Sequence, residues 1–518
     1  MTRPDLEAEG CTTDAGMDAA GTGTAADTPT RHGERIRCHP SIIVERSLSA
    51  IVVLAVLTTQ LGRGALPAVL AILFIGLALF NYRQWSRTTI QFNERDVVVE
   101  RNTLFKMKKT LPYAKVASVN VNRGILNRVF GTSRLLVNIN SGSGATVPEA
   151  VLTFRQDVAE GIRAGMAERL YGHETAPEEE PAEPPVSFSP VDVIVHGLFS
   201  VSTYQTVFGF AFLAYSVVQL YVSTVTGAGA DGKALVSLLM FFSIQLAPSV
   251  SLIFHYYNYR VYRRGDTIYL EHGLVRTYKT SFAVSRINAV RVKRTLAARL
   301  LHRSCIEAEV VGLASGSGES LRPVLCLLKD DATQQRLLEE LVPEFVDEHA
   351  RERQPAGARS VLLIRAALAS LALVLATAYP SIYLYHETAA LTGAAGTVLP
   401  YALPLATTAA ILAIFYATRV SYRITEFGTG TDLFTFVNGA VDRETVVMNY
   451  DKVQMVRITR GPVARVFGVA RGKVYLLSAI GGANVSSGYF AGSRLAAVGE
   501  TVMGRIASGE YDYRKNSI

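Results

Sequence analysis

The sequence predicts a polytopic membrane protein in which one unit occurs three times: a two-helix apolar hairpin, then an antiparallel β domain that ends in a helix. Three observations predict it. Long apolar runs come in pairs, each pair is followed by a polar segment of similar length, and one strand-and-turn pattern recurs in all three segments. Composition agrees, since 49% of the 518 residues are hydrophobic and the mean hydropathy is +0.23, too apolar for an ordinary soluble chain.

Taken in order, residues 1–37 are rich in Ala, Gly, Thr and Asp and contain neither an apolar run nor a cleavable signal pattern, so they read as a disordered cytoplasmic tail. Transmembrane hairpin 1 covers 38–85, where "SLSAIVVLAVLTTQL" and "LPAVLAILFIGLALFNY" are separated only by "GRGA". The first β domain is 86–172. A Pro/Glu-rich extended linker, 173–190, leads to hairpin 2 at 191–257, with apolar runs near 199–225 and 235–257, and to the second β domain at 258–354. Hairpin 3 covers 355–418 and the third β domain 419–518.

Six spans put an even number of crossings before every β domain, so all three lie on one side. Arginine chooses the side: Arg31, Arg35, Arg37, Arg83, Arg87, Arg260, Arg263, Arg264, Arg351, Arg353, Arg359, Arg419 and Arg423 flank the spans next to the β domains, against Arg63 and Lys233 in the short hairpin loops. The positive-inside rule then predicts a multi-pass plasma-membrane protein with its N-terminus and all three β domains cytoplasmic. In this setting the net charge of +8 is a topology signal and nucleic acid is not an expected partner.

The repeat has three landmarks. A strand begins at an acid and runs five residues to a turn pair: Asp96 to Asn102-Thr103, Asp266 to His272-Gly273, Asp432 to Asn438-Gly439. An alternating strand then runs into a joint, "KVASVNVNRGILNRVFG", "RINAVRVKRTLAARLLH" and "KVQMVRITRGPVARVFG", which align without gaps. An amphipathic helix closes each unit: "RQDVAEGIRAGMAERL", "DDATQQRLLEELVPEF" and "SRLAAVGETVMGRIA".

This order resembles the YdbS/YdbT-like bacterial membrane proteins with pleckstrin-homology (PH) domains, in their triplicate, YdbT-type form. The resemblance covers residues 38–518 and rests on His39-Pro40 before the first span, "NYRQWSRTTIQF", "LPYAKVASVNV" and the repeated Arg-Gly-x-x-x-Arg-Val-Phe-Gly string. It implies three PH-like antiparallel β-barrels, partly open and each plugged by its C-terminal helix. It also implies a role in envelope maintenance or in resistance to membrane-active agents.

The string itself reads first as architecture. Ile125, Leu126, Val129 and Phe130 have helical spacing, and Gly131 and Gly468 stand where a short helix must reverse with positive φ, a place His302 takes in the second unit. Arg128, Arg299 and Arg465 then lie at the negative end of that helix. The alternative is that Arg123 and Arg128, Arg294 and Arg299, and Arg460 and Arg465 form sites for an acidic partner or a phosphate. Lys106, Lys108 and Lys109 are candidates for headgroup contact, against a plain solvated hairpin. Arg365, just inside the fifth span, reads as snorkelling to the interface.

No catalytic, cofactor or metal site is expected. GxSxG, HExxH, P-loop and Rossmann patterns are missing, the nine histidines form no i, i+4 ligand pair, and four dispersed cysteines show no ligand spacing. Two functions follow. One is a non-enzymatic scaffold in the bilayer with a protein partner, either a smaller homologous PH-domain membrane protein or another copy of itself. The other is a six-span transporter or a transporter accessory subunit, distinguished by a continuous polar path between the helices.

Overall fold

The structure is a computed structural model that describes residues 35–47, 66–103, 106–139, 150–171, 186–226, 232–311, 313, 322–346, 349–388, 394–476 and 484–510. Most of the expected tail, most of the linker and the first span of hairpin 1 lie outside these residues. Each unit contributes seven strands. Unit 1 has β1 (Arg35–Ile36), β2 (Thr88–Phe92), β3 (Asp96–Asn102), β4 (Lys106–Pro112), β5 (Val116–Arg123), β6 (Thr132–Ile139) and β7 (Ala150–Arg155). Unit 2 has β8 (Val186–Ser187), β9 (Arg260–Arg264), β10 (Thr267–His272), β11 (Thr277–Ala283), β12 (Ile287–Arg294), β13 (Arg303–Val310) and β14 (Val324–Asp330). Unit 3 has β15 (Arg351–Arg353), β16 (Glu426–Thr429), β17 (Leu433–Gly439), β18 (Arg443–Asn449), β19 (Val453–Thr459), β20 (Val469–Leu476) and β21 (Asn484–Ala491).

In every unit the first, very short strand precedes the apolar hairpin and pairs with the strand that follows it: Arg35 with Gln91, Val186 with Val261, Arg351 with Gly428. The hairpin is therefore inserted into the β domain, and its two feet are clamped by a β ladder. Composition assigns these strands to the tail, the linker and the end of the preceding domain, because two or three extended residues carry no periodicity to read.

The strands do not close into three barrels, and here the structure corrects the expected fold. Among the described residues they form four open sheets, ordered β1-β2-β3-β4, β7-β6-β5-β11-β10-β9-β8, β14-β13-β12-β18-β17-β16-β15 and β19-β20-β21. Each seven-stranded sheet joins the last three strands of one unit to the first four of the next. The physical reason is an edge choice: the fourth strand of units 2 and 3 gives its outer hydrogen-bonding edge to the fifth strand of the unit before, so the edges are satisfied between units.

Packing follows the sheets. The helices Gln156–Tyr171, Asp331–Leu341 and Gly492–Ser508 lie over the three-stranded parts of their own units. They bury Ala159, Ile162 and Met166, Leu337 and Leu341, and Leu495 and Val498 in three separate cores. Such spacings of three, four or seven residues give one apolar face, and each large side chain buried there stabilises the unit by about 1.5–3 kcal/mol. The cores also trade residues across a boundary: Leu433 of unit 3 sits in the core of unit 2, and Ala289 of unit 2 in that of unit 3.

Among the described residues, three helices are long and apolar enough to cross a membrane, Ala234–His255, Ala356–Tyr383 and Pro400–Ile424. A fourth candidate is the pair Pro190–Phe199 and Thr203–Tyr221, bent by 77°. The bend lies at residues 200–202, between the end of a helix that Ser189 and Pro190 start and the beginning of the next. Ala234–His255 contains a π-helical turn at Phe242–Leu246, and Pro380, Pro400 and Pro404 lie inside their helices. Gln205 bonds across hairpin 2, its Nε2 donating to the Ile244 carbonyl at 2.7 Å.

Candidate interaction site

The repeated string folds the same way three times. The fifth strand ends, the chain makes a five-residue helix (Ile125–Val129, Leu296–Leu300, Pro462–Val466), and Gly131, His302 and Gly468 reverse it with φ of +62°, +52° and +69°. The amide of each reversing residue donates to the carbonyl of the second arginine, Arg128, Arg299 or Arg465, at 3.2–3.4 Å. Backbone geometry thus accounts for the glycines, and histidine is a tolerated substitute because it is among the side chains that visit this region.

Two of these short helices bury an alanine, Ala298 or Ala464, in a core, but the last apolar residues of all three face outward. Val129, Leu300 and Val466 are 74, 74 and 81% exposed, and Phe130, Leu301 and Phe467 are exposed beside them. Each short helix lies against the foot of an apolar helix. The Ser41 hydroxyl is 3.5 Å from that of Thr132, Thr295 donates to the Phe199 carbonyl at 2.6 Å, and a Cβ on Gly357 would overlap the Phe467 carbonyl. Three apolar knuckles, each with an exposed arginine, therefore stand at the roots of the three hairpins.

The first arginine of each pair lies against a neighbouring element. Arg294 pairs with Asp331 at 2.8 Å, at the start of the unit 2 closing helix. The Arg460 guanidinium packs so closely on Gly492, at the start of the unit 3 closing helix, that a Cβ there would overlap it. Arg123 lies opposite Thr277 of unit 2, with its Nε buried. Of the second arginines, Arg299 Nη1 donates to the Val441 carbonyl in the β17–β18 turn at 3.1 Å, while Arg128 and Arg465 are exposed. The paired arginines are thus split between a structural grip and a surface position. Lys106, Lys108 and Lys109 line β4; Lys108 is exposed and pairs with Glu100 at 3.1 Å. Arg365 does not merely snorkel, since its Nη1 donates to the Tyr489 hydroxyl of unit 3 at 2.8 Å.

The joint between units 2 and 3 is keyed by charge. Opposite β12, strand β18 sets Met448 to Ala289, Val446 to Arg291, Glu444 to Lys293 and Arg443 to Arg294. Buried Arg291 donates to Glu309 at 3.2 Å and across the boundary to Glu444 at 2.9 Å, and Arg322 reaches the same Glu309 at 2.7 Å. Lys293 donates to Glu307 at 2.9 Å; burial pulls its pKa down, but the carboxylates of Glu307 and Glu444 hold it above the ordinary lysine value. Asp442 closes the joint from the β17–β18 turn: its carboxylate accepts from the Leu296 amide at 3.1 Å and from the Thr203 amide at 3.0 Å, at the foot of hairpin 2. Sequence reasoning did not single out Asp442, Glu444 or Glu309. Their only sequence signal is position, one acid just past the Asn-Gly turn and two on alternating strands.

The joint between units 1 and 2 is shorter, Thr277 to Arg123 through Lys279 to Val121, and aromatic. His272 stacks between Tyr259 and Tyr278, and its Nδ1 lies 2.8 Å from the His255 carbonyl. Burial, and then the His255 charge, lower its pKa to about 3. A small cavity of about 50 Å³ runs from this cluster to Asn120 and Asn122 of β5. No group of His, Cys, Asp and Glu that could hold a metal occurs among the described residues.

Seven short antiparallel strands and a closing helix, interrupted by apolar helices and repeated in tandem, define a β module of the PH class. The chain belongs to the bacterial PH domain family: the model of that family matches residues 49–172 and 361–501, half of the chain. Both matches run from apolar hairpin into β domain, and the middle unit lies between them. No curated protein and no solved structure gave a match. PH-type domains are non-enzymatic interaction modules, so the surfaces to examine are edges and faces.

Proposed function

We propose that this protein is a membrane-anchored, non-enzymatic scaffold that holds three fused PH-type units on the cytoplasmic side of the plasma membrane and offers them to protein partners. Its anchor is six helices in three hairpins, of the triplicate YdbT-like type, and its service is envelope maintenance or resistance to membrane-active agents. One observation carries the reading: strands pair across both unit boundaries, which supports treating the three β domains as one joined platform.

Two features support membrane anchoring. The exposed knuckles at Val129, Leu300 and Val466 stand at the hairpin roots with Arg128, Arg299 and Arg465 beside them. This is the arrangement of an interfacial contact, apolar side chains at the acyl boundary and cations at the headgroups. The apolar helices also stay uncovered by protein, with 17, 17 and 0% of their most apolar stretches buried. Helices enclosing a transport path would each bury a face, so this favours an anchor over a transporter.

Two experiments test the proposal. A cysteine at Thr226, the hairpin end of Thr203–Thr226, is expected to react with an impermeant thiol reagent in intact cells, and one at Thr431 to react only after lysis; the reverse pattern overturns the orientation. Crosslinking and affinity purification from native membranes is expected to recover a partner with the intact chain and to lose it with Val447→Pro, which breaks β18. Recovery that ignores the β domains overturns the scaffold.

A further inference from the structure

Both unit boundaries use one rule, in which the fourth strand of the later unit pairs antiparallel with the fifth strand of the earlier one. Three units joined in this way leave one fourth strand, β4, and one fifth strand, β19, at the two ends. Among the described residues, β4 pairs only with β3 and β19 only with β20. Each therefore presents an open row of backbone donors and acceptors, the template for a further strand.

The two open edges differ in chemistry. Strand β4, Lys-Met-Lys-Lys-Thr-Leu-Pro, carries three lysines and ends in proline, the residues by which natural edges are defended against pairing. Strand β19, Val-Gln-Met-Val-Arg-Ile-Thr, has one cation and no proline, and Met455 at its centre is 49% exposed. Every fourth strand ends at a 3-10 turn, Tyr113–Lys115, Val284–Arg286 or Tyr450–Lys452, so positions can be transferred between copies. In the register of the second joint, a β4 strand laid on β19 would set Lys109 opposite Arg457 and Lys106 opposite Arg460. Neither strand supplies a carboxylate, whereas the internal joint brings Glu444 to Arg291 and Lys293. Arg443 already faces Arg294 within the second joint, so Lys106 on Arg460 only repeats a pair that joint tolerates; Lys109 on Arg457, with no carboxylate to answer it, is the added like-charge pair that disfavours copies of this chain as each other's partners.

We infer that β19 is a docking edge for the fourth strand of a different polypeptide, an antiparallel PH-type edge strand that carries a carboxylate where Glu444 stands in β18, and that the lysines of β4 keep the chain from pairing end to end with itself. This rests on the scaffold reading and names the edge its partner uses. The template is the joint already present twice, which the partner would continue as a fourth unit.

The test uses the full chain in lipid nanodiscs with a photo-crosslinking amino acid in place of Met455, and cyclised hairpin peptides as probes. One peptide copies 432–450, the second copies it with Glu444→Lys, and the third copies 96–112 with its lysines. The first is expected to crosslink about tenfold more than either other, the ratio expected from about two repulsive or lost pairs. A crosslinker at Met503, exposed on the closing helix, should show no preference. Equal crosslinking by all three peptides, or by none, overturns the proposal. So does a crosslinked dimer of the chain without peptide, which would assign the edge to a second copy. If the peptides fail while native purification still recovers a partner lost with Val447→Pro, the scaffold stands and only the edge is wrong.

Discussion

At the scale of single residues, the reversing positions of the three joints carry the sharpest expectation. Gly131 and Gly468 have positive φ with open space around their Cβ positions, so an added methyl meets backbone strain and no clash. Gly468→Ala should therefore cost about 1–2 kcal/mol, and His302→Gly should be neutral or stabilising, read from thermal melts of the purified protein. Gly439→Ala is a different case. A Cβ there would overlap the Asp442 carbonyl, so the β17–β18 turn must open, releasing the carboxylate that holds Leu296 and Thr203. Its loss should exceed that of Gly468→Ala. These glycines were legible in the sequence because positive φ is a local demand. Asp442 was not legible, because its partners lie 146 and 239 residues away.

At the scale of elements, the two joints make separable predictions. Glu309 is fully buried between Arg291 and Arg322, so Glu309→Ala removes the carboxylate they share, leaves buried Arg291 with Glu444 alone, and should cost about 3 kcal/mol, whereas the exposed Arg494–Glu352 pair should contribute nothing measurable when Arg494 is removed. Comparison of unfolding midpoints for the two variants checks this. The first joint should respond to acid. With His272 at about 3 when folded and 6.5 as its ordinary value, the unfolded chain takes up the proton first. The stability contributed by neutral His272 is full above pH 6.5 and is lost as pH falls toward 3, at about 1.4 kcal/mol per unit. Between pH 7 and 5 the first melting transition should fall, and His272→Phe should shrink that fall. An unchanged slope would separate His272 from the stability of the joint.

At the scale of the molecule, strand pairing across boundaries predicts coupling. Val447→Pro in β18 should weaken protection of β12 in unit 2 as well as β17 in unit 3 when amide hydrogen exchange is measured, because Val447 stands opposite both Val290 and Thr435. Independent domains would confine the change to unit 3. Inserting the apolar helices between the first and second strands of each unit adds to the same unity, since their feet cannot move without opening β1–β2, β8–β9 or β15–β16.

The sequence by itself determined the paired apolar runs, the threefold repeat, the closing helices and the reversing joints. All of these are periodicities or local backbone demands, written within a few consecutive residues. Only the tertiary structure decided which strands share a sheet. A strand has two edges made of the same backbone donors and acceptors whatever its side chains, so alternation tells which face is buried but not which neighbour takes which edge. That choice turned three expected barrels into open sheets shared between units, gathered Arg291, Glu309 and Glu444 into one network, and left β4 and β19 at the two ends.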